Sequence, residues 1–427
     1  MIDQLKEWAN DFEAFHGRFA HLFSRSEIRA QLPKYLRGLL ARVDRKNTWQ
    51  MAEAVGDQTP DRMQRFLYRT EWDADAARDI LQQFVIDEFG DEEGVGIVDE
   101  TGFIKKGGQS VGVKRQYSGT AGKVENCQVG TFLSYVTRKG HVFLDRRLYL
   151  SQEWCNDPKR RARAKVPQRV SFQTKAQQAI AMLEHAWEQG VPMRWVTGDE
   201  VYGDAPDLRD VVIANHRLYV LAVGQNTPVW TEQPVLEAPR KPWTGRPRTR
   251  TRLAEGQARA TTVQAVALVW LESRWQRFAV AEGEKGPRMY DWARQRIIEC
   301  RDGLPGPEAW LLVRRSISDP TEVAYYLSNA PADTSLSKLA QVAATRYTIE
   351  QCIEEGKGET GLDEYEVRHW HSWHRHITLS MMVHAWLASV RHKAEGKKGS
   401  TAVSRRVDGT GGAATARCGT AVAAALL

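Results

Sequence analysis

The stretch Gly94-Val-Gly-Ile-Val-Asp99-Glu-Thr-Gly-Phe-Ile-Lys-Lys-Gly107 decides how the rest of the chain is read. Its apolar run, 95 to 98, is too short for a helix and is bounded by glycines, which suits a strand buried on both faces. Such a strand delivers Asp99 to the edge of a sheet. An acid there is either a cap for the following turn or a metal ligand held by a rigid element. A second copy of the arrangement tips the reading toward a ligand. Met193-Arg-Trp-Val-Thr-Gly198 reads as another buried strand and runs into Asp199, followed by Glu-Val-Tyr-Gly203 and a helical segment.

Between the two aspartates the element order is informative. Residues 128 to 137 and 141 to 150 alternate as two strands joined by the hairpin turn Arg138-Lys-Gly140. A basic loop follows, with Lys159, Arg160, Arg161, Arg163, Lys165 and Arg169, and then an amphipathic helix over 172 to 189, stopped by Gly190 and Pro192. After Asp199 come a helix near 205 to 214 and a strand over 217 to 223. Three strands, helix, strand, helix, strand is the order of an RNase H-like sheet. In that topology the first and fourth strands lie side by side, so Asp99 and Asp199 are expected to meet.

Residues 1 to 90 read as helical, with amphipathic runs at 2 to 15, 25 to 42 and 73 to 89. Thr48-Trp-Gln-Met-Ala-Glu-Ala-Val55 makes a short helix and Gly56-Asp-Gln58 a turn. Thr59-Pro60 then caps a helix carrying Arg62, Gln64, Arg65, Tyr68 and Arg69. That outline fits a helix-turn-helix reader of the major groove, and equally an αα-corner with a solvated basic face.

Past residue 223 the pattern changes. Six basic residues and no acid fall between Arg240 and Arg252, in a Pro-rich segment that is either a phosphate-tracking loop or a linker. Strand-like runs at 277 to 281, 309 to 315 and 322 to 328 suggest an inserted β-rich subdomain, with Trp243 and Trp292 expected to be exposed. Residues 335 to about 356 read as one helix, placing Arg346, Glu350 and Lys357 on one face at offsets of four and seven. An exposed salt-bridged face would show the same spacing.

Arg346-x3-Glu350-x6-Lys357 resembles the R-x3-E-x6-K signature of bacterial insertion-sequence transposases of the DDE class, in the branch with a β-strand insertion before the glutamate. Val98-Asp-Glu-Thr-Gly102, Thr197-Gly-Asp-Glu-Val-Tyr-Gly203 and the segment from Gly356 to Arg368 are similar to that family as well. The likeness spans roughly residues 10 to 390. It departs at Ala343, where the family usually has Tyr, and in the Gly/Ala-rich end of the chain.

The expected fold is therefore α/β: an RNase H-like catalytic core interrupted by a β-rich insertion and preceded by an all-α DNA-binding domain. The expected boundaries are 1–90 for the helical domain, 91–223 and 336–393 for the core, 224–335 for the insertion and 394–427 for a low-complexity, disordered tail. The resemblance implies cut-and-paste transposition, in which Asp99, Asp199 and Glu350 hold two Mg²⁺ (or Mn²⁺) ions and Asp99 bridges them. It also implies that Arg346 and Lys357 grip the DNA backbone near the cut, and that the chain works as a homodimer on double-stranded DNA. Arg62, Arg65, Arg69, Lys105 and Lys106 are the further DNA-contact candidates. The alternative is a defective copy that occupies terminal inverted repeats as a repressor.

Of the four glutamates in 350 to 359, only Glu350 has cations at both −4 and +7, whereas Glu355 and Glu359 are rotated off its face and Glu354 lies one turn on. Other chemistries find little support. Lys105-Lys106-Gly-Gly108 lacks the spacing of a P-loop. His369, His371, His374 and His376 have no Cys partner and no H-E-x-x-H pattern. The five cysteines show no C-x-x-C spacing, and no window reaches the apolar length of a spanning helix, so a bacterial cytoplasmic protein, nucleoid-associated when bound to DNA, is expected. A net charge of +7 and a pI near 9.1 permit a polyanionic partner.

Overall fold

Five helices precede the first strand in the computed structural model: α1 (Ile2–Gly17), α2 (Ser26–Leu40), α3 (Thr48–Ala54), α4 (Asp61–Tyr68) and α5 (Ala74–Phe89). Their starts are written in the sequence. Asn47 accepts from the backbone N–H of Trp49 and of Gln50, both at 3.0 Å, and Asp73 caps α5 in the same way. The strands β1 (Gly94–Ile104), β2 (Lys114–Ser118), β3 (Lys123–Thr137) and β4 (Gly140–Leu148) follow, then α6 (Gln152–Cys155), α7 (Pro158–Arg163) and α8 (Lys175–Glu188). The structure describes residues 2–239, 250–283 and 286–401, and the chain divides into two compact units, residues 1–194 with 347–427, and residues 195–346.

In the first unit β3 is the organising strand. One of its edges pairs antiparallel with β1, with Asp99 opposite Phe132, and the other pairs with β2 and β4. Because side chains alternate along a strand, Asp99, Thr101 and Phe103 share one face of this sheet, while Glu100 lies on the other. The Glu100 face is covered by α8, from which Lys175 pairs with Glu100 and Gln178 accepts from Thr131. The Asp99 face is covered by the two helices that return to this unit from the C-terminal part, given below.

The second unit opens with β5 (Met193–Gly198), α9 (Glu200–Gly203), α10 (Pro206–Ala214) and β6 (Leu218–Val223). Here β5 and β6 run parallel, as a crossover through helices requires. Short strands β7 (Pro228–Trp230), β8 (Leu236–Glu237), β9 (Arg252–Leu253) and β10 (Thr261–Thr262) come next, with α11 (Val263–Leu268). Four longer strands complete it: β11 (Gln276–Gly283), β12 (Gly286–Arg301), β13 (Leu304–Ser316) and β14 (Val323–Ser328). The strands expected to form a subdomain do not stand apart. Instead β14 pairs antiparallel with β6 and carries β13, β12 and β11 as an extension of the same sheet, while β8 and β9 make a separate pair.

The described residues end with α12 (Leu336–Thr345), α13 (Thr348–Thr360) and α14 (Trp370–Thr401). Over 372 to 390, α14 is buried almost all round, and it packs on α1, α2, α4, α5, α13 and β4. The helices of 1–90 therefore share one compact unit with β1 to β4 rather than forming a unit of their own. A buried charge network ties the layers together. Asp145, fully buried, accepts from Arg78 and Arg146 at 3.2 Å, and Arg146 reaches Thr378 of α14 at 2.9 Å.

Several expectations need correction. The helix over 335 to 356 is broken at Arg346-Tyr347, so Arg346 is the C-cap of α12 and does not share a helical face with Glu350 and Lys357. Trp292 is 1% exposed, stacked obliquely on Tyr326 inside the second unit. The strand β12 escaped the pattern because Arg294 and Arg296 interrupt its apolar alternation. Both spread their guanidinium groups over the Trp310 ring, at 4.1 and 4.9 Å, so the strand face is covered without apolar residues. Helix α14 continues to Thr401, into the segment read as a disordered tail, while residues 402–427 and the basic run at 240–249 with Trp243 lie outside the described residues. None of the described helices is long and apolar enough to cross a membrane.

Candidate active site

The first acid does not end its strand as expected: β1 runs on to Ile104 because Thr101, Gly102 and Phe103 keep pairing with β3, which leaves Asp99 in mid-strand. Asp99 is half-buried on β1 and its Oδ1 accepts the N–H of Glu100 at 2.7 Å, which fixes the carboxylate at the strand. The glycine three positions on is demanded by packing. A Cβ on Gly102 would fall 2.3 Å from Ser118 Oγ, so the Val98-Asp-Glu-Thr-Gly102 motif holds β1 tight against the turn that carries Thr120.

Helix α13 is clamped to this strand. Lys357 Nζ donates to Thr101 Oγ1 at 2.8 Å, to Thr120 Oγ1 at 3.0 Å and to the Gly102 carbonyl at 3.4 Å. An ammonium has three N–H groups, and here each has a protein acceptor. Burial pushes the Lys357 ammonium below the usual lysine range, with Asp363 opposing. Since Thr101 shares the Asp99 face, Lys357 draws α13 onto the side of the sheet that Asp99 occupies. Glu350 precedes Lys357 by seven residues, so the two lie on one side of α13, with Glu350 exposed in the first turn.

The neighbouring glutamates point elsewhere. Glu355 meets His141, His384 and Arg391 at 3.1, 3.5 and 3.0 Å, and Glu359 pairs with Arg391. Burial acts to raise the Glu355 carboxyl, but the hydrogen bonds and charge of His141 and His384 outweigh it and hold it well below the ordinary range. Glu354 is exposed, like Glu350. No sequence signal pointed to Thr120 or to the His141, Glu355 and His384 group, since their spacings in the chain are long and irregular.

In the second unit Asp199 is the N-cap of α9, its Oδ1 accepting from Val201 N at 2.9 Å. This is the capping role, and it leaves the carboxylate half-buried rather than enclosed. Gly203 closes the motif because a Cβ there would lie 1.7 Å from the Ala222 carbonyl oxygen of β6. Asp204 completes the turn by accepting from Thr227 Oγ1 at 2.8 Å. Arg346, half-buried, also belongs to this unit.

The remaining basic candidates divide into two kinds. Arg62, Arg65 and Arg69 are exposed along one side of α4 and its end, while Met63, Phe66 and Leu67 are buried on the other. Lys106 is exposed as well. Lys105 instead lies 3.6 Å from the centre of the Tyr365 ring and donates to the Tyr365 carbonyl at 3.0 Å, and burial brings its ammonium down to about 8. The histidines near 370 are held one by one. His371 meets the Tyr68 carbonyl, His374 that of Trp370, and His376 both Tyr35 and the Gly361 carbonyl.

Asp99 and Glu350 belong to the first unit and Asp199 to the second; each offers carboxylate oxygen, a donor that suits a hard divalent cation.

Comparison with known proteins bears on this set. Residues 18–287 match the family described as DDE superfamily endonuclease. A curated relative, "Probable transposase for insertion sequence element IS701" from Microchaete diplosiphon, is 28% identical over 195 residues, which cover 45% of this chain and 48% of the relative. The chain thus spans about half the length of that relative. Among solved structures, a piggyBac transposase synaptic complex with hairpin DNA aligns with a TM-score of 0.45 at 10% identity, over 93% of this chain and 70% of that one. The NurA nuclease from Sulfolobus solfataricus aligns with a TM-score of 0.25 at 10% identity, over 66% and 90%.

Proposed function

The chain belongs to the DDE superfamily endonucleases, and from that premise we propose that it is a transposase that cleaves DNA at element ends and transfers the freed strand into target DNA. The single observation that carries the reading is the clamp of Lys357 on β1. It brings α13, with Glu350, to the face of the sheet that bears Asp99.

In this reading the core is RNase H-like, and Asp99, Asp199 and Glu350 hold two Mg²⁺ or Mn²⁺ ions. When bound, such ions activate the attacking water or 3′-hydroxyl and stabilise the leaving oxygen. The protein's part is positional. The N–H groups of Glu100 and Val201 orient the two aspartates, Gly102 and Gly203 let the motif turns pack closely, and Lys357 serves the reaction by seating α13. Arg346, Lys106 and the exposed face of Arg62, Arg65 and Arg69 supply contacts to phosphate, and Lys105 shapes the loop that presents Lys106. The partner is double-stranded DNA bearing terminal inverted repeats, engaged by a homodimer.

Incubation of the protein with DNA carrying the element's ends tests the proposal. Nicking that requires Mg²⁺ and disappears in Asp99→Asn is the expected result. Binding without nicking under any divalent cation would replace it with the repressor reading.

A further inference from the structure

On the opposite side of α13 from Glu350, three donors crowd one oxygen. His141 Nε2 lies 3.1 Å, His384 Nε2 3.5 Å and Arg391 Nη1 3.0 Å from Glu355 Oε2. A carboxylate oxygen has two lone-pair positions, so three N–H groups cannot all be well seated on it. The other carboxylate oxygen is already taken by Gln351 Nε2 at 2.9 Å. On the inner side the Cys352 thiol packs against His384, its Sγ 3.9 Å from Nε2. Cys352 and His384 are buried, His141 keeps 17% of its side chain exposed, and His384 Nδ1 is buried without a hydrogen-bond partner.

We infer that His141, Glu355 and His384 bind one divalent cation of the Zn²⁺ class, with a water as fourth ligand, at a site separate from Asp99, Asp199 and Glu350. The ligand atoms of His141, Glu355 and His384 lie within 4.8 Å of one another. With Zn–N and Zn–O bonds of about 2.0–2.2 Å, a tetrahedral shell has N···O edges of roughly 3.3–3.5 Å. The separations of 3.1 and 3.5 Å come within a few tenths of an ångström of these. Two imidazoles and a carboxylate form a nitrogen-rich set that selects Zn²⁺ over Mg²⁺.

A cation also resolves the crowding. It takes the lone pairs of the two Nε2 atoms and one position on Oε2, and leaves the other position to Arg391. Arg391 and Gln351 then orient the ligating carboxylate from outside. Glu355 is on α13, His384 on α14 and His141 on β4. The ion thereby staples α13 to the sheet from the side opposite Lys357, and so fixes the helix that carries Glu350.

The test uses the full chain, stripped with a chelator and titrated with Co²⁺. The expected result is one Co²⁺ per chain, with the strong visible bands of a tetrahedral site. His141→Gln and His384→Gln should abolish both binding and bands, and His371→Gln should change neither. Zn²⁺ should raise the thermal midpoint of the stripped wild type and leave that of His141→Gln unmoved. A wild type with only the weak absorption of octahedral Co²⁺, or an unaltered spectrum in His141→Gln, would overturn the assignment. Because the readout is metal rather than DNA cleavage, its failure would leave the transposase reading untouched.

Discussion

Helix α13 carries glutamates on two sides, and the sides have been put to different uses. Glu350 and Glu354 are exposed, and Lys357, in line with Glu350, seats the helix on β1. Glu355 and Glu359, turned the other way, are drawn into His141, His384 and Arg391. Four identical functional groups within ten residues are thus sorted by surroundings alone. A carboxylate meant for a metal and a phosphodiester must stay accessible, whereas one that fixes a helix does so by giving up that access.

Removing a member of the enclosed side should cost most in stability. Glu355→Ala leaves Arg391 with Glu359 alone, beside the buried His384 and half-buried His141, and the expected loss is about 3–5 kcal/mol in chemical denaturation. A loss within experimental error would mean that the enclosed side is no more structural than the exposed one.

Acid should attack the same side next. Burial lowers His376, which bonds the Gly361 carbonyl at the end of α13, to about 4, and His374 to about 3. The unfolded chain takes up these protons near pH 6.5, while the folded one refuses them until pH is far lower. Unfolding therefore binds protons in this window, and stability should fall as pH drops from about 6.5 toward 4. His376→Asn should flatten that slope, although it lowers stability at neutral pH, and an unchanged slope would remove the histidines from the account.

Smaller effects belong to exposed surfaces. Replacing Arg65 and Arg69 by Ala should weaken DNA binding and reduce the slope of log affinity against log salt by about 2. An unchanged slope would make α4 an ordinary helical corner. Smallest of all, Glu354→Gln should alter stability by less than about 0.5 kcal/mol, as a surface change away from any partner does.

Much of this division is legible in the chain. The strand that ends at Asp199 and the rotation of Glu355 and Glu359 away from Glu350 follow from local rules of period, whereas the run of β1 past Asp99 to Ile104 is set by its pairing with β3. What escaped detection depends on residues far apart in sequence. Thr120 meets Lys357 and His141 meets Glu355 only because β1, β3 and β4 pair and α13 returns to them. The break at Arg346-Tyr347 and the burial of Trp292 were likewise decided by packing that periodicity does not encode. The strand β12 was hidden by arginines whose aliphatic stems and guanidinium planes cover an indole where apolar residues would be expected.

Whether the exposed side of α13 contributes the third carboxylate of a DNA-cleaving site is decided by cleavage itself. Mg²⁺-dependent nicking of element-end DNA is compared among Glu350→Gln, Glu354→Gln and wild type at matched DNA occupancy. The account predicts that Glu350→Gln binds DNA as wild type does but loses cleavage beyond the roughly 100-fold that losing a ligand's supporting partner costs, whereas Glu354→Gln keeps substantial activity. Cleavage by Glu350→Gln near the wild-type rate would contradict it, and loss of cleavage in Glu354→Gln instead would move the third ligand one turn along the helix.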